Sequence, residues 1–167
     1  MSGEVTVAIR IRDLTHSDLP HCTWSGSALH LSSVAKELDR VAAGAAGYLA
    51  VCAGKTDLPV AIGGIDYEQA PGAGMIHQLA TLPALQSCGL GTALIGAAED
   101  RIRARGLPRA ELAVEHDNPR ARALYERLGY AAFDDRPDAW DEEAPDGTLR
   151  RYETMCTIMA KELQPSF

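Results

Sequence analysis

The segment with the clearest potential for chemistry is the loop of residues 86–92, with the sequence Gln-Ser-Cys-Gly-Leu-Gly-Thr. Gly89 and Gly91 let the backbone turn sharply and approach a ligand closely. The loop contains no proline, so every amide can donate a hydrogen bond, and the first amides of a following helix have no partner within that helix. The helix dipole adds about half a positive charge there. The loop is therefore predicted to bind phosphate groups.

Two other phosphate-binding loops do not match this segment. The dinucleotide-binding motif G-x-G-x-x-G requires a glycine three residues after Gly91, where this chain has Leu94. The nucleoside-triphosphate-binding loop requires Gly-Lys-Ser/Thr, and no lysine lies near residues 86–92. Two glycines alone are also compatible with a simple turn from a strand into a helix, so the surrounding elements must support a binding role.

The neighbouring residues predict a strand before the loop and a helix after it. Residues 75–82 have the composition of a buried strand, which Pro83 ends. Apolar residues then recur every fourth position and predict a helix that Gly106 and Pro108 stop: Leu90, Leu94, Ala98 and Ile102. A second strand is predicted at 110–115, and Asn118 followed by Pro119 is typical of a helix start.

The remaining residues predict further strands and helices around this unit. Before the unit, we expect a strand with alternating Val5, Val7, Ile9 and Ile11, then a helix capped by Thr15 with Asp18 in its first turn. A helix at 32–43 and a hairpin from 48–52 and 60–65 follow. After the unit, we expect a short strand at 130–133, an acidic loop from 134, and a closing strand at 151–160. This order predicts a single mixed α/β domain over residues 1–167.

Composition restricts the class of protein. The chain has 167 residues, 46% of them hydrophobic, which suits one globular domain. Its formal net charge of −7 argues against a nucleic-acid partner, and residues 41–54 are too short and glycine-rich to span a membrane. The N-terminus has no apolar block of signal-peptide length, so we expect a cytoplasmic protein. The four cysteines are widely spaced, and neither disulfides nor a metal site is predicted.

Three motifs occur in order along the middle of the chain. They are Leu79-Ala80-Thr81-x-Pro83, Gln86-x-x-Gly89-x-Gly91, and Asn118-x-x-Ala121-x-x-Leu124-Tyr125-x-x-x-Gly129-Tyr130. With the predicted strand and helix between them, residues 75–130 resemble the GNAT superfamily of acyl-CoA N-acyltransferases. The resemblance implies a central, mostly antiparallel sheet, splayed between its two middle strands and flanked by helices. It also implies transfer of an acetyl group from acetyl-CoA to a primary amine.

The resemblance assigns acetyl-CoA to the splayed strand and the glycine loop. Backbone groups of Leu79 and Thr81 would bond the pantetheine arm, and an amide there would polarise the acetyl carbonyl. The implied binding residues are Leu79, Ala80, Thr81, Gln86, Ser87, Cys88, Gly89, Leu90, Gly91, Thr92 and Asn118. Cys88 stands where the family often has Arg or Lys, so one common counter-charge for phosphate is missing.

The resemblance also suggests catalytic residues. Tyr125 would protonate the departing thiolate, although a tyrosine here can equally pack in the core. Glu115 and His77 are candidates for the base. The period of two places His77 on the same face of its strand as Leu79. Asp66 and Glu68 are further candidates, and ordered water alone is another alternative.

Two classes of function fit these residues, an acetyltransferase and a non-catalytic acyl-CoA-binding sensor or assembly module, and Tyr125 favours the enzyme. The acceptor is a small-molecule or peptide amine of unknown identity, and the family suggests a homodimer. Residues 134–146 carry seven acidic residues against one arginine, a net charge of −6, with Trp140 in their middle. They form either a solvated surface loop or a feature that attracts a cationic amine.

Overall fold

The computed structural model describes residues 3–165, whose strands form one seven-stranded sheet in the order β1-β2-β3-β4-β5-β7-β6. The strands are β1 (Ile9–Asp13), β2 (Ala46–Ala53), β3 (Pro59–Asp66), β4 (Ala73–Thr81), β5 (Arg109–Glu115), β6 (Ala131–Glu143) and β7 (Leu149–Glu162). The helices are α1 (Ala28–Ala42), α2 (Leu90–Ala104) and α3 (Pro119–Arg127). Only β4 and β5 pair in parallel among these strands. The predicted mixed α/β class and mostly antiparallel sheet are confirmed.

Helices cover both faces of the sheet. On one face, Val34 and Leu38 of α1 pack with Tyr48 and Ile62 of the sheet. On the other face, α2 contributes a second apolar cluster with buried Leu94, Ile95, Ala98 and Ile102, and side chains of α3 pack against its edge. The apolar residues predicted at a spacing of four therefore lie on the buried side of α2. Burial of each large aliphatic side chain there stabilises the fold by about 1.5–3 kcal/mol.

The middle of the sheet opens because β4 and β5 pair over only part of their length. Within the described residues, their parallel pairing runs from Ala73↔Arg109 to Ile76↔Leu112 and then ends. Just beyond this point, Gln78 has a φ of +54°, and the register between β3 and β4 shifts. Such a bulge bends a strand away from its neighbour. The predicted splay between the two middle strands is thus present, and the bulge lies at its start.

Two predictions for the N-terminal region are wrong. The first strand begins at Ile9 rather than at Val5, because β2 ends at Ala53, the pairing partner of Ile9. The expected helix after Thr15 is a 3₁₀ helix, His16–His21, in which Pro20 lacks the amide needed for an α-helix to continue. The Asp18 carboxylate accepts hydrogen bonds from the amide and hydroxyl of Thr15, as the capping pattern predicted.

The acidic loop predicted after residue 133 is wrong as well. β6 continues to Glu143 and pairs with β7 through a turn at residues 144–148. The period of two was hidden because nearly all of β6 is exposed, so charged residues occupy both of its faces. Cross-strand ion pairs, Glu142 with Arg150 and Asp141 with Arg151, stabilise this hairpin instead.

Across residues 3–165, no helix is both long and apolar enough to cross a membrane. The same residues contain no group of three or more His, Cys, Asp and Glu side chains arranged to hold a metal ion. Cys22, Cys52 and Cys156 are buried free thiols, and Cys88 is an exposed one.

Candidate functional site

A cleft of about 950 Å³ occupies the opening between β4 and β5. Its walls come from β4, β5, α1, α3 and the β6–β7 hairpin. Six of the site residues predicted from the sequence line it: His77, Leu79, Ala80, Glu115, Asn118 and Tyr125. Thr81 and the loop 86–92 lie outside its lining, with the loop exposed beside the end of β4.

The outer half of β4 presents free backbone groups to the opening. The amide of Leu82, just past β4, donates to the carbonyl of Val60 on the β3 side, at 2.8 Å. Because backbone groups point to alternate sides along a strand, those of Thr81 and Leu79 point towards β5. β5 no longer pairs there, so these groups are available to a bound molecule, as predicted.

The loop 86–92 has the geometry expected of an anion site. Ser87 and Gly89 have φ values of +64° and +84°, and Gly89 is the N-cap of α2 without a side-chain hydrogen bond to the helix. The first amides of α2 are therefore free to donate. Leu90 is buried and anchors the helix start, whereas Cys88 is exposed.

A positive charge that sequence reasoning missed lies beside this loop. Arg120, at the start of α3, donates a hydrogen bond to the Ser87 hydroxyl. A guanidinium at this place suits a phosphate group, and Cys88 carries no such positive charge. The sequence offered one signal for Arg120, because it directly follows the Asn118-Pro119 helix start. Only the fold, however, brings the first turn of α3 next to the loop 86–92.

Tyr125 lies on α3 with its side chain on the wall of the cleft. The Asn118 side chain caps α3 by accepting a hydrogen bond from the amide of Ala121 at 3.2 Å, which fixes where the helix begins. The Tyr125 ring also packs edge-on against Tyr130, with ring centroids 6.4 Å apart. Burial raises the pKa of Tyr125, so its phenol stays protonated near neutral pH and can donate.

Glu115 ends β5 at the mouth of the splay and lines the same cleft. One of its carboxylate oxygens accepts a hydrogen bond from the Tyr152 hydroxyl of β7 at 2.7 Å. Sequence reasoning missed Tyr152, because the stretch from residue 134 was predicted as a loop, so the closing strand predicted at 151–160 had no hairpin partner to extend it past β5.

The expectation that His77 and Leu79 share a face is wrong. A Cβ on Gly63 would meet Leu79 and Leu94, whereas one on Gly64 would meet Tyr48 and His77, so the two predicted residues lie on opposite faces. The bulge at Gln78 breaks the period of two between them.

His77 is instead held against α1. Its buried Nε2 atom has no hydrogen-bond partner among residues 3–165 and lies 3.5 Å from a carboxylate oxygen of Glu37. Burial lowers the pKa of His77, a shift that Glu37 partly opposes, so the imidazole is neutral near pH 7. His77 lines the cleft, but its Nε2 atom faces the protein interior.

Asp66 and Glu68 are not brought to the cleft. Asp66 is buried and accepts hydrogen bonds from Arg40 and from the amides of Glu68 and Gln69, which is a structural arrangement. Burial disfavours its charge, but these donors outweigh burial and lower the pKa of Asp66. The Glu68 side chain is 68% exposed and 3.9 Å from Arg40. Neither residue lines the opening between β4 and β5.

The far end of the cleft has two chemically different walls. The hairpin wall is acidic and aromatic: Trp140 and Tyr152 are cross-strand neighbours with ring centroids 4.9 Å apart, and Asp138, Asp141 and Glu142 line the cleft nearby. The opposite wall carries serine hydroxyls and an amide, Ser25, Ser27, Ser33 and Gln78, together with His30. Gln78 accepts from Tyr48 and donates to Ser33, which holds the bulge in place.

Comparison with known proteins identifies the class to which this fold and site belong. The model of the acetyltransferase (GNAT) family matches residues 11–130, well over half of the chain. The chain belongs to the acetyltransferase (GNAT) family.

Among curated relatives, a mycothiol acetyltransferase of Beutenbergia cavernae is 53% identical over 57 residues, which are 34% of this chain. The match spans about a fifth of the length of the curated relatives, 19% of this one and 20% of a second from Streptomyces avermitilis.

Solved structures share the whole fold at low identity. The ribosomal-protein-S18-alanine N-acetyltransferase from Escherichia coli is 20% identical with a TM-score of 0.66, and the alignment covers 96% of this chain and 97% of that one. PaiA N-acetyltransferase from Thermoplasma acidophilum, solved with coenzyme A, is 16% identical with a TM-score of 0.65, covering 93% and 99%.

The residues present fit acetyl-CoA, the acetyl donor of this family. Free amides and Arg120 suit a pyrophosphate at loop 86–92. Unpaired backbone groups along β4 suit the amides of a pantetheine arm. The protonated phenol of Tyr125 suits a leaving thiolate.

Proposed function

We propose that this protein transfers an acetyl group from acetyl-CoA to a primary amine by direct attack within a ternary complex. One observation carries the proposal: Tyr125 and Glu115 line a single cleft at the splay of β4 and β5. A proton donor for the leaving sulfur and a proton acceptor for the amine thus border the same opening.

Acetyl-CoA supplies a thioester whose C–S bond is exchanged for a C–N bond with the acceptor nitrogen. Backbone amides of β4 at Leu79 and Thr81 donate to the carbonyl oxygen as negative charge develops on it. Tyr125 gives its proton to the departing thiolate sulfur. Glu115 accepts the proton that the neutral amine nitrogen loses on attack, directly or through a water, and passes it to solvent, while solvent returns a proton to the Tyr125 oxygen.

The hairpin wall supports a cationic acceptor. Asp138 and Trp140 line the cleft, and residues 134–146 carry a net charge of −6, although Asp141 and Glu142 are each paired with an arginine of β7. An ammonium group is attracted both by carboxylates and by aromatic faces. The acceptor class proposed here is therefore an amine that arrives protonated and releases one proton to solvent before the neutral nitrogen attacks.

The experiment is coenzyme A thiol release in the presence of a panel of primary amines. The panel contains polyamines, amino acids, peptides with a free N-terminus, aminoglycosides, and the acceptor used by mycothiol acetyltransferases. Amine-dependent thiol release together with an acetylated product is the expected result. Acetyl-CoA binding in calorimetry without thiol release for any amine would favour the non-catalytic acyl-CoA-binding module instead.

The cytoplasmic location and the homodimer stay predictions. Size-exclusion chromatography with light scattering measures the oligomeric state directly.

A further inference from the structure

The β6–β7 hairpin extends beyond the end of β5, and one of its side chains contacts the last residue of β5. Pairing of β5 with β7 ends at Glu115↔Cys156, so Tyr152 lies four residues farther along the hairpin. Its ring packs against Trp140 on the neighbouring strand, with 4.9 Å between ring centroids and an angle of 40° between the planes. From this position its hydroxyl donates to the Glu115 carboxylate at 2.7 Å.

This hydrogen bond controls a carboxylate that lines the reaction cleft. A donor to one carboxylate oxygen fixes the rotation of the group and leaves the other oxygen free for a water or an amine. The same bond raises the pKa of Tyr152, so the phenol stays protonated and remains the donor.

The other groups around Glu115 cannot take over this task. Asp117 and Asp138 are carboxylates near the Cys156 thiol, which is the cross-strand neighbour of Glu115, and a charged carboxylate only accepts hydrogen bonds. His116 is hydrogen-bonded to Asp135 at 2.9 Å, and Arg136 is paired with Asp134. Tyr152 is the side chain whose hydroxyl contacts the Glu115 carboxylate.

We propose that Tyr152 is a positioning residue, whose hydroxyl orients the Glu115 carboxylate so that Glu115 takes the proton of the acceptor amine. The proposal rests on the proposed acetyl transfer and adds the role of the hairpin in it. Trp140 supports the same arrangement by holding the Tyr152 ring.

The test is Tyr152→Phe, which keeps the ring and its packing on Trp140 and removes only the hydroxyl. We expect kcat/KM for the amine to fall about tenfold, with KM for acetyl-CoA unchanged. Tyr67→Phe is the matched control, since Tyr67 is half-buried at the end of β3 and lies outside the cleft.

A double-mutant cycle separates this role from a general effect on the hairpin. In a Glu115→Gln background, Tyr152→Phe should have no further effect on kcat/KM. An equal loss in both backgrounds would overturn the proposal. Full activity of Glu115→Gln would also overturn the role of Tyr152, although acetyl transfer itself would stand. The proposed function fails in a different way, namely if the wild-type protein transfers acetyl to no amine.

Discussion

At the scale of single residues, the strongest expectation concerns the Tyr125 hydroxyl. Tyr125→Phe should lower kcat about 10²-fold and leave acetyl-CoA affinity nearly unchanged, because the ring still packs while the proton donor to the thiolate is lost. Stopped assays of thiol release, with calorimetry for binding, measure the two effects separately. Tyr130→Phe is the matched control, since its buried hydroxyl has no partner within the described residues and its ring contacts Tyr125. Normal turnover of Tyr125→Phe would mean that Tyr125 only packs.

Arg120 is expected to act on binding rather than on chemistry. Arg120→Gln should weaken acetyl-CoA about tenfold and leave kcat at saturation nearly unchanged, because a charged donor to phosphate is lost far from the thioester. The difference in acetyl-CoA affinity between Arg120→Gln and the wild-type protein should shrink as the salt concentration rises. Arg127→Gln, at the opposite end of the same helix, is the control, and equal affinities of the two variants would contradict the role assigned to Arg120.

At the scale of elements, the start of α2 is expected to bind phosphate through its backbone. A Cβ at Gly91 would have no atom closer than Leu124 at 4.0 Å, so Gly91→Val should fold and yet project methyl groups where a phosphate approaches. Acetyl-CoA binding should be abolished in calorimetry. Gly96→Val is the control, because Gly96 is an exposed glycine of the same helix with open space around it. Unchanged coenzyme affinity of a folded Gly91→Val protein would remove loop 86–92 from the binding site.

Some of these elements could be predicted from the sequence, and others could not. The helix start at Asn118, the apolar spacing of α2 and the turn at Gly89 were correctly predicted, because caps and periodic burial are local properties. The bulge at Gln78 was not predicted: a glutamine with positive φ is unusual, and it is held by Tyr48 and Ser33, distant in sequence. The wrong face for His77 followed directly from this bulge.

The first strand of the long hairpin was missed for a different reason, whereas its second strand was predicted at 151–160. The strand β6 is almost wholly exposed and is stabilised by pairs with β7, such as Trp140 with Tyr152, rather than by burial. Such pairs leave no hydrophobic period in the sequence of β6 alone. Tyr152 therefore could not be connected to Glu115, although Glu115 itself was named as a candidate.

At the scale of the whole molecule, the acidic excess is concentrated beside the cleft. Residues 134–146 alone carry a net charge of −6, compared with −7 for the chain. As a hairpin wall of the cleft, this segment places its field next to the opening rather than on a remote surface. A cationic amine should therefore associate faster at low salt, and kcat/KM should fall as ionic strength rises.

Charge placement and total charge can be separated by substitution. The combined variant Asp141→Asn, Glu142→Gln, Glu143→Gln should lower kcat/KM several-fold for a polyamine and flatten its salt dependence, because the field at the cleft weakens. An arylamine that is uncharged at neutral pH should react as before. The control neutralises three exposed acidic residues outside the cleft lining, Glu4, Asp39 and Asp100, and so changes the net charge by the same amount. Equal losses for both amines, or equal losses in both variants, would show that the hairpin charge has no part in acceptor selection.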